Sequence, residues 1–180
     1  MDVKSKITGL ALVFALAGTV GAQTADQVVS EFEGTFRATG SEQQARAEIN
    51  EQIDEVVDKM NFIKRPFARS RLKEATKPCV ELSFEVLQGN NLNVKCDERP
   101  DAVAPISGQE GSYTNEEGNK FVLVYKVGPN QILQAFADQD GLRKNLYTLS
   151  PDGDTVTMEA TIESKQLPEP VTFERTFQRE

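Results

Sequence analysis

The chain has 180 residues, a formal net charge of −8, ten phenylalanines and neither histidine nor tryptophan. The absence of histidine removes the commonest general base and metal ligand, and the acidic balance excludes nucleic acid as the main partner. Two thiols without histidine make a poor zinc site, so neither a metal nor a cofactor is expected.

Residues 1–22 read as a signal peptide. Lys4 and Lys6 give the basic start, Ile7 to Ala22 carries no charge, and Val20-Gly21-Ala22 places small residues before Gln23. A membrane anchor would need ~20 apolar residues, and this stretch is interrupted by Thr8, Gly9, Gly18, Thr19 and Gly21. The expected compartment is secreted or periplasmic. In an exported chain Cys79 and Cys96 read as one disulfide, with two free thiols as the alternative. Residues 23–180 have a length that suits a single domain with its own core.

Phe32, Gly34 and Phe36 alternate with charged and polar neighbours, which reads as a first strand ending near Gly40. Ser41 and Gln44 form a capping-box pattern. Ala45, Ile49, Ile53, Val56 and Met60 follow at spacings of three and four, which predicts an amphipathic helix. A second helix is expected to start at Pro66 and stop before Pro78, with Phe67 and Leu72 inward. This helical block, about 41–77, is basic: Lys59, Lys64, Arg65, Arg69, Arg71, Lys73 and Lys77 stand against Glu74 alone between Lys59 and Lys77.

From Val80 the period returns to two. Val80, Leu82, Phe84 and Val86 share a face, Gly89-Asn90-Asn91 turns the chain, and Leu92, Val94 and Cys96 return, so the two cysteines flank one hairpin. Ala102–Ile106 and Gln109–Thr114 are expected as short strands, with Pro105 suited to an edge. Four clear strands follow the one that carries Phe121, Leu123, Tyr125 and Val127, each set off by turn residues; the last holds Val171, Phe173, Arg175, Phe177 and Arg179 on one face. Connections of about 3–6 residues are too short for parallel crossovers. The expectation is a mainly β fold: an antiparallel up-and-down barrel of about nine or ten strands with a helical insertion after the first. An open sheet covered by the helices is the alternative.

The order strand, helix–turn–helix, β-meander resembles the fatty-acid-binding protein family within the calycins. Phe32-Glu33-Gly34-Thr35-Phe36 looks like that family's opening Phe-x-Gly-x-Trp. Phe67-Ala68, Lys77-Pro78 and Val80 to Phe84 resemble its second helix and second strand, and Glu174 to Glu180 its closing strand. The resemblance implies a calycin barrel with an internal cavity and a ligand arginine and tyrosine on the last strand. Arg175 matches the arginine, and Phe177 stands where the tyrosine would be, without its hydroxyl. The family's second ligand arginine falls near Tyr147; Arg143, four residues earlier on the same face, is the substitute.

Arg175 lies between Phe173 and Phe177 on the apolar face, where an unpaired guanidinium costs several kcal/mol. It is either a fork for a ligand carboxylate or a structural clamp over Phe36. Arg143, Asn145 and Tyr147 share a face, and either they or Leu142 and Leu146 point inward. Tyr125 reads as core or as ligand contact. The candidate ligand-binding set is therefore Arg175, Phe177, Phe173, Arg143, Tyr147 and Tyr125. No nucleophile elbow, phosphate loop or paired-acid motif stands out, so no enzyme is expected. The function expected is an exported binding protein for a small apolar ligand with an anionic head, fatty-acid-like, with the helical block as a portal that touches an anionic membrane surface transiently. The alternative is an exported protein-interaction module, such as an inhibitor of a secreted enzyme.

Overall fold

Residues 23–180 are described by a computed structural model; the leader expected over residues 1–22 lies outside the described residues. The first element was not foreseen. Helix α1 (Ala25–Phe32) starts at a full capping box, in which Thr24 Oγ1 accepts from Gln27 N and Gln27 Oε1 accepts from Thr24 N. Val28, Val29 and Phe32 are its buried face. Phe32 therefore ends a helix, and strand β1 (Gly34–Ala38) begins two residues later than the alternation suggested.

Helix α2 (Glu42–Val57) starts where Ser41 Oγ accepts from Gln44 N, and it buries Ala45, Ile49, Ile53, Val56 and Val57. Gln44 completes no box, because its side chain donates to Glu48. Helix α3 (Arg65–Ala75) has proline in its first turn and buries Leu72 alone. Phe67, expected inward, is 76% exposed. At 100° per residue it lies about 140° around the helix from Leu72, so the two cannot share a face.

Nine strands follow: β2 (Glu81–Leu87), β3 (Asn91–Cys96), β4 (Val103–Pro105), β5 (Gly111–Thr114), β6 (Lys120–Gly128), β7 (Gln131–Ala137), β8 (Gly141–Leu149), β9 (Thr155–Ser164) and β10 (Val171–Arg179). All pairings are antiparallel, in the order β4-β3-β2-β1-β10-β9-β8-β7-β6-β5. Strand β1 joins the ends of the meander by pairing with both β2 and β10. The β2–β3 turn uses Gly89 and Asn90 at positive φ (75° and 57°), where side chains are disfavoured. The sheet wraps into a nearly closed barrel. Its seam lies between β4 and β5, which approach so closely that a Cβ on Gly111 would stand 2.7 Å from that of Ala104. Across this seam the buried Tyr125 hydroxyl of β6 donates to the Ala102 carbonyl at 2.5 Å.

Inward positions carry the main core, and alternation assigns them as expected on β6, β9 and β10; on β8, where two faces were possible, the structure decides. Leu142 belongs instead to a small outer cluster with Val124, Ala135 and Ala137, so Arg143, Asn145 and Tyr147 are the inward residues of β8. Val86 ends its apolar face 39% exposed at the hairpin end. Burying each large apolar side chain stabilises by about 1.5–3 kcal/mol, and Phe32, Phe36 and Phe177 are fully buried.

One end of the barrel is plugged by α1 and closed by Arg179. Its guanidinium lies 4.4 Å from the centroid of Phe36, and it donates to three carbonyls: Glu31 (2.7 Å), Glu33 (2.6 Å) and Gly153 (2.8 Å). Helix α1 has no basic residue in its last turn, so Arg179 supplies the positive charge that its C-terminal carbonyls attract. Gly34 is needed beneath it, since φ is +125° and a Cβ would meet Arg179 Nη1 at 2.9 Å. The clamp over Phe36 is thus made by Arg179 and not by Arg175, the residue for which that alternative was held open. Replacing Arg179 with Gln should cost about 2–4 kcal/mol, the loss of several charge-assisted bonds and a ring contact. Urea denaturation should show a far smaller loss for Arg175→Gln; equal losses would mean that the clamp is misassigned.

Candidate functional site

The other end of the barrel opens into a cavity of about 1340 Å³ beneath α3 and the α2–α3 turn. Its wall runs from Met60, Ala68 and Leu72 of the helical block, past Leu82 and Val94, to Phe136, Met158 and Phe173. Tyr147 helps to form its floor. That ring meets Phe84 edge-on at 5.2 Å, and Phe84 in turn packs on Phe32 (5.2 Å) and Phe36 (5.9 Å). The phenylalanines fill the α1 end, and the space remains at the helical-lid end. The apolar stripe of α2 is buried, with Ile49, Ile53 and Val56 at 1%, 0% and 4% exposure.

A buried polar chain runs through the floor. Arg143 Nε donates to Asn145 Oδ1 (3.0 Å), and Asn145 Nδ2 donates to Gln134 Oε1 (2.9 Å). Tyr147 Oη also donates to Gln134 Oε1 (2.8 Å), and Gln134 Nε2 donates to Tyr125 Oη (3.0 Å). With Tyr125 bonded to Ala102, these buried groups satisfy one another. Burial pushes Tyr147 up to about 12 from the ordinary phenol value. It holds Tyr125 higher still and raises Tyr113.

Arg175 is different. It is 6% exposed, and its Nε is buried with no hydrogen-bond partner. Its Nη2 makes one long bond, 3.3 Å, to the Cys79 carbonyl, and its Cζ stands 6.0 Å from the centre of the Phe177 ring. Burial depresses the guanidinium from its ordinary value, while Glu48, Glu42 and Asp97 act in the opposite sense.

Two more arginines reach the same stretch of backbone. Arg143 Nη1 donates to Ala75 O (2.5 Å), and Arg99 Nη2 donates to Lys77 O (2.9 Å) and Pro78 O (3.2 Å). Cys79 is joined to Cys96 by a disulfide, with the two Cα atoms 5.6 Å apart. Asp97, at φ 53°, accepts from the amides of Val80 and Glu81. Of the six residues singled out by sequence, Arg175, Phe173, Arg143 and Tyr147 line the cavity. Phe177 and Tyr125 are fully buried outside its lining. Sequence reasoning passed over Gln134, although a glutamine between Ile132 and Phe136 on an apolar face was a usable signal. It also passed over Arg99, which sits in a loop and gave none.

The fold has known counterparts. Lipid-binding protein 8 of Caenorhabditis elegans, in its apo form, matches at a TM-score of 0.52 over 84% of this chain and 96% of its own, with 13% identity. Fatty-acid-binding protein 1 of Echinococcus granulosus matches at 0.51 over 83% and 98%, with 12% identity. A mutant of the fluorescent protein UnaG matches at 0.51 over 84% and 98%, with 12% identity. The chain therefore has the fold of the fatty-acid-binding proteins, at a distance that carries the fold alone. No protein-family model matches the chain, and no curated protein sequence does.

The tyrosines give this geometry a pH signature. A phenol whose value is raised by folding stabilises the fold fully below its unfolded value near 10, and that contribution is lost as pH rises through the folded value. Tyrosinate absorbance should therefore appear late, above about pH 10, and together with loss of tertiary structure. Independent ionisation of all three phenols near their ordinary value, with the fold intact, would contradict the buried network.

Proposed function

We propose that this protein is an exported carrier for a small apolar ligand with an anionic head, fatty-acid-like. The observation that carries the reading is Arg175: a buried guanidinium with an unpartnered Nε, bordering a cavity of about 1340 Å³ whose wall also includes Leu72, Leu82, Val94, Met158 and Phe173. A buried cation short of acceptors is costly, and a carboxylate entering the cavity supplies them in fork geometry. Ligand sites are typically apolar spaces with a few placed polar groups, and a cavity of this size exceeds what a single alkyl chain needs. A protein-interaction module would more naturally fill its barrel with side chains. The leader-like residues 1–22 and the Cys79–Cys96 bridge support export. Fatty-acid-binding and lipid-binding proteins share the fold.

The α2–α3 turn supports transient contact with an anionic membrane. Phe62, Ile63 and Phe67 are 74%, 65% and 76% exposed, and Ile63 and Phe67 border the cavity. Lys64, Arg71 and Lys73 stand beside them and form no ion pair among the described residues, whereas Arg69 is held by Asp54 and Asp58. Exposed aromatic and aliphatic residues beside free cations suit an interface of headgroups and acyl chains.

Arg175→Gln should reduce fatty-acid affinity tens- to thousands-fold, as expected for roughly 2–5 kcal/mol from one charge-assisted pair. Methyl esters should bind wild type and variant equally. Fatty acids and esters binding alike to both proteins would remove Arg175 from the site. For the membrane, Lys64, Arg71 and Lys73 exchanged together for Glu should slow transfer of a fluorescent fatty acid to anionic vesicles and leave transfer to neutral vesicles unchanged. Equal transfer to both would reduce these cations to a solvated helix face.

A further inference from the structure

Of the arginines, Arg37 pairs with Glu81 and Glu180, Arg65 with Asp58, and Arg69 with Asp54 and Asp58. Arg46, Arg71, Arg175 and Arg179 pair with no carboxylate among the described residues, and neither do Arg99 and Arg143. Both line the cavity, and among the described residues neither has an acidic partner within ion-pair distance. Their acceptors are neutral: the Ala75 carbonyl and Asn145 amide oxygen for Arg143, and the Lys77 and Pro78 carbonyls for Arg99. Ala75 and Lys77 are two residues apart, so their carbonyls lie within about 7 Å of each other. One short segment thus gathers two guanidiniums at the cavity.

Two acids at the cavity are paired with lysines, Glu74 with Lys77 and Glu163 with Lys144. Glu116, Glu117 and Asp140 border it as exposed carboxylates, outside ion-pair distance of either arginine. Tyr113 borders both arginines and adds a phenol donor to the same wall. Burial depresses the Arg143 guanidinium, and Arg99 adds repulsion in the same sense. A monocarboxylate at Arg175 leaves this second pair of charges uncompensated.

We propose that Arg99 and Arg143 form a second anion subsite that selects ligands whose head carries two negative charges, an alkyl phosphate monoester being the matching chemistry, over monocarboxylates. The proposal rests on the carrier reading and specifies its ligand. Guanidiniums bind phosphate oxygens in paired hydrogen bonds, and each has five N–H donors, of which the bonds to carbonyl and amide oxygens use only part.

The test is displacement of an apolar fluorescent probe from the purified, disulfide-intact protein by hexadecyl phosphate, hexadecanoate, hexadecanol and inorganic phosphate. At about pH 8 hexadecyl phosphate should bind about tenfold or more tighter than hexadecanoate. The advantage should shrink at about pH 5, below the second phosphate ionisation near ~6. Arg99→Gln and Arg143→Gln should each abolish most of the preference, read as the ratio of the two anions' affinities within one variant, and circular dichroism checks that the variants fold. Arg37→Gln, on the outer face, should keep the preference.

Equal binding of phosphate and carboxylate in the wild type, both tighter than hexadecanol, would overturn the subsite and leave the carrier reading standing. A preference that survives the double Arg99→Gln, Arg143→Gln exchange would overturn it too. Displacement by inorganic phosphate at the concentrations that suffice for hexadecyl phosphate would mean that the pair does not serve a lipid head. If neither anion outperforms hexadecanol, the anionic-head reading itself fails, and if none of the three alkyl compounds displaces the probe, the carrier reading fails with it.

Discussion

Where the helical block rejoins the sheet, residues 75–79 run without a partner strand, and their backbone groups must still be hydrogen-bonded. The protein meets this constraint with side chains from distant parts of the chain. Arg143 of β8, Arg99 of the β3–β4 loop and Arg175 of β10 take the carbonyls of Ala75, Lys77, Pro78 and Cys79. Pro78 has no amide to satisfy, Asp97 takes the amides of Val80 and Glu81, and the disulfide fixes Cys79 to the end of β3. The position of the lid, the direction of three guanidiniums and the charge of the cavity wall are consequences of how this one connection is held. A lid carried on free backbone would have no defined place over the barrel.

The two inward arginines of β10 show how the ends of the barrel differ. Arg175 and Arg179 share a face, four residues apart. At the α1 end, Arg179 finds three carbonyls and an aromatic ring, so its charge is fully used in closing the fold. At the lid end, Arg175 has one long bond and an orphan Nε beside open volume. The same residue type is a structural closure in one place and an unmet demand in the other, and what separates them is the packing around Phe36, Phe32 and Phe84 against the space above Tyr147.

Alternation of apolar and polar residues made the meander legible, because a strand with one buried face records that face in every second residue. The spacing of Ile49, Ile53 and Val56 did the same for α2. Alternation also misled. Phe32, Gly34 and Phe36 have period two, yet Phe32 closes a helix whose signal was the Thr24–Gln27 capping box two turns earlier. Period two places Arg175 and Arg179 inward without saying which one reaches Phe36, since that depends on where β1 crosses β10: Phe36 stands opposite Arg179 in the register. Half of the candidate site was readable as polar residues on apolar faces, namely Arg143, Asn145, Tyr147 and Arg175. Arg99 was not, because its role arises only when a loop and the lid connection meet in space.

The buried polar groups of the floor sharpen the meaning of the arginines. Gln134, Asn145, Tyr125 and Tyr147 bond to one another and to Ala102, so their polarity is internally balanced and demands nothing of a ligand. A wall built from such a closed network and from Met158, Phe136 and Phe173 discriminates little among apolar tails, since dispersion contacts are additive and unspecific. Charge is not balanced in the same way. Buried Arg175 and half-buried Arg99 and Arg143 meet dipoles and, among the described residues, pair with no carboxylate, and dipoles offset only part of the cost of withdrawing a cation from water. Under the proposed carrier reading, selectivity in this cavity resides in the head of the ligand, and the number of negative charges on that head is the property the three arginines bear on.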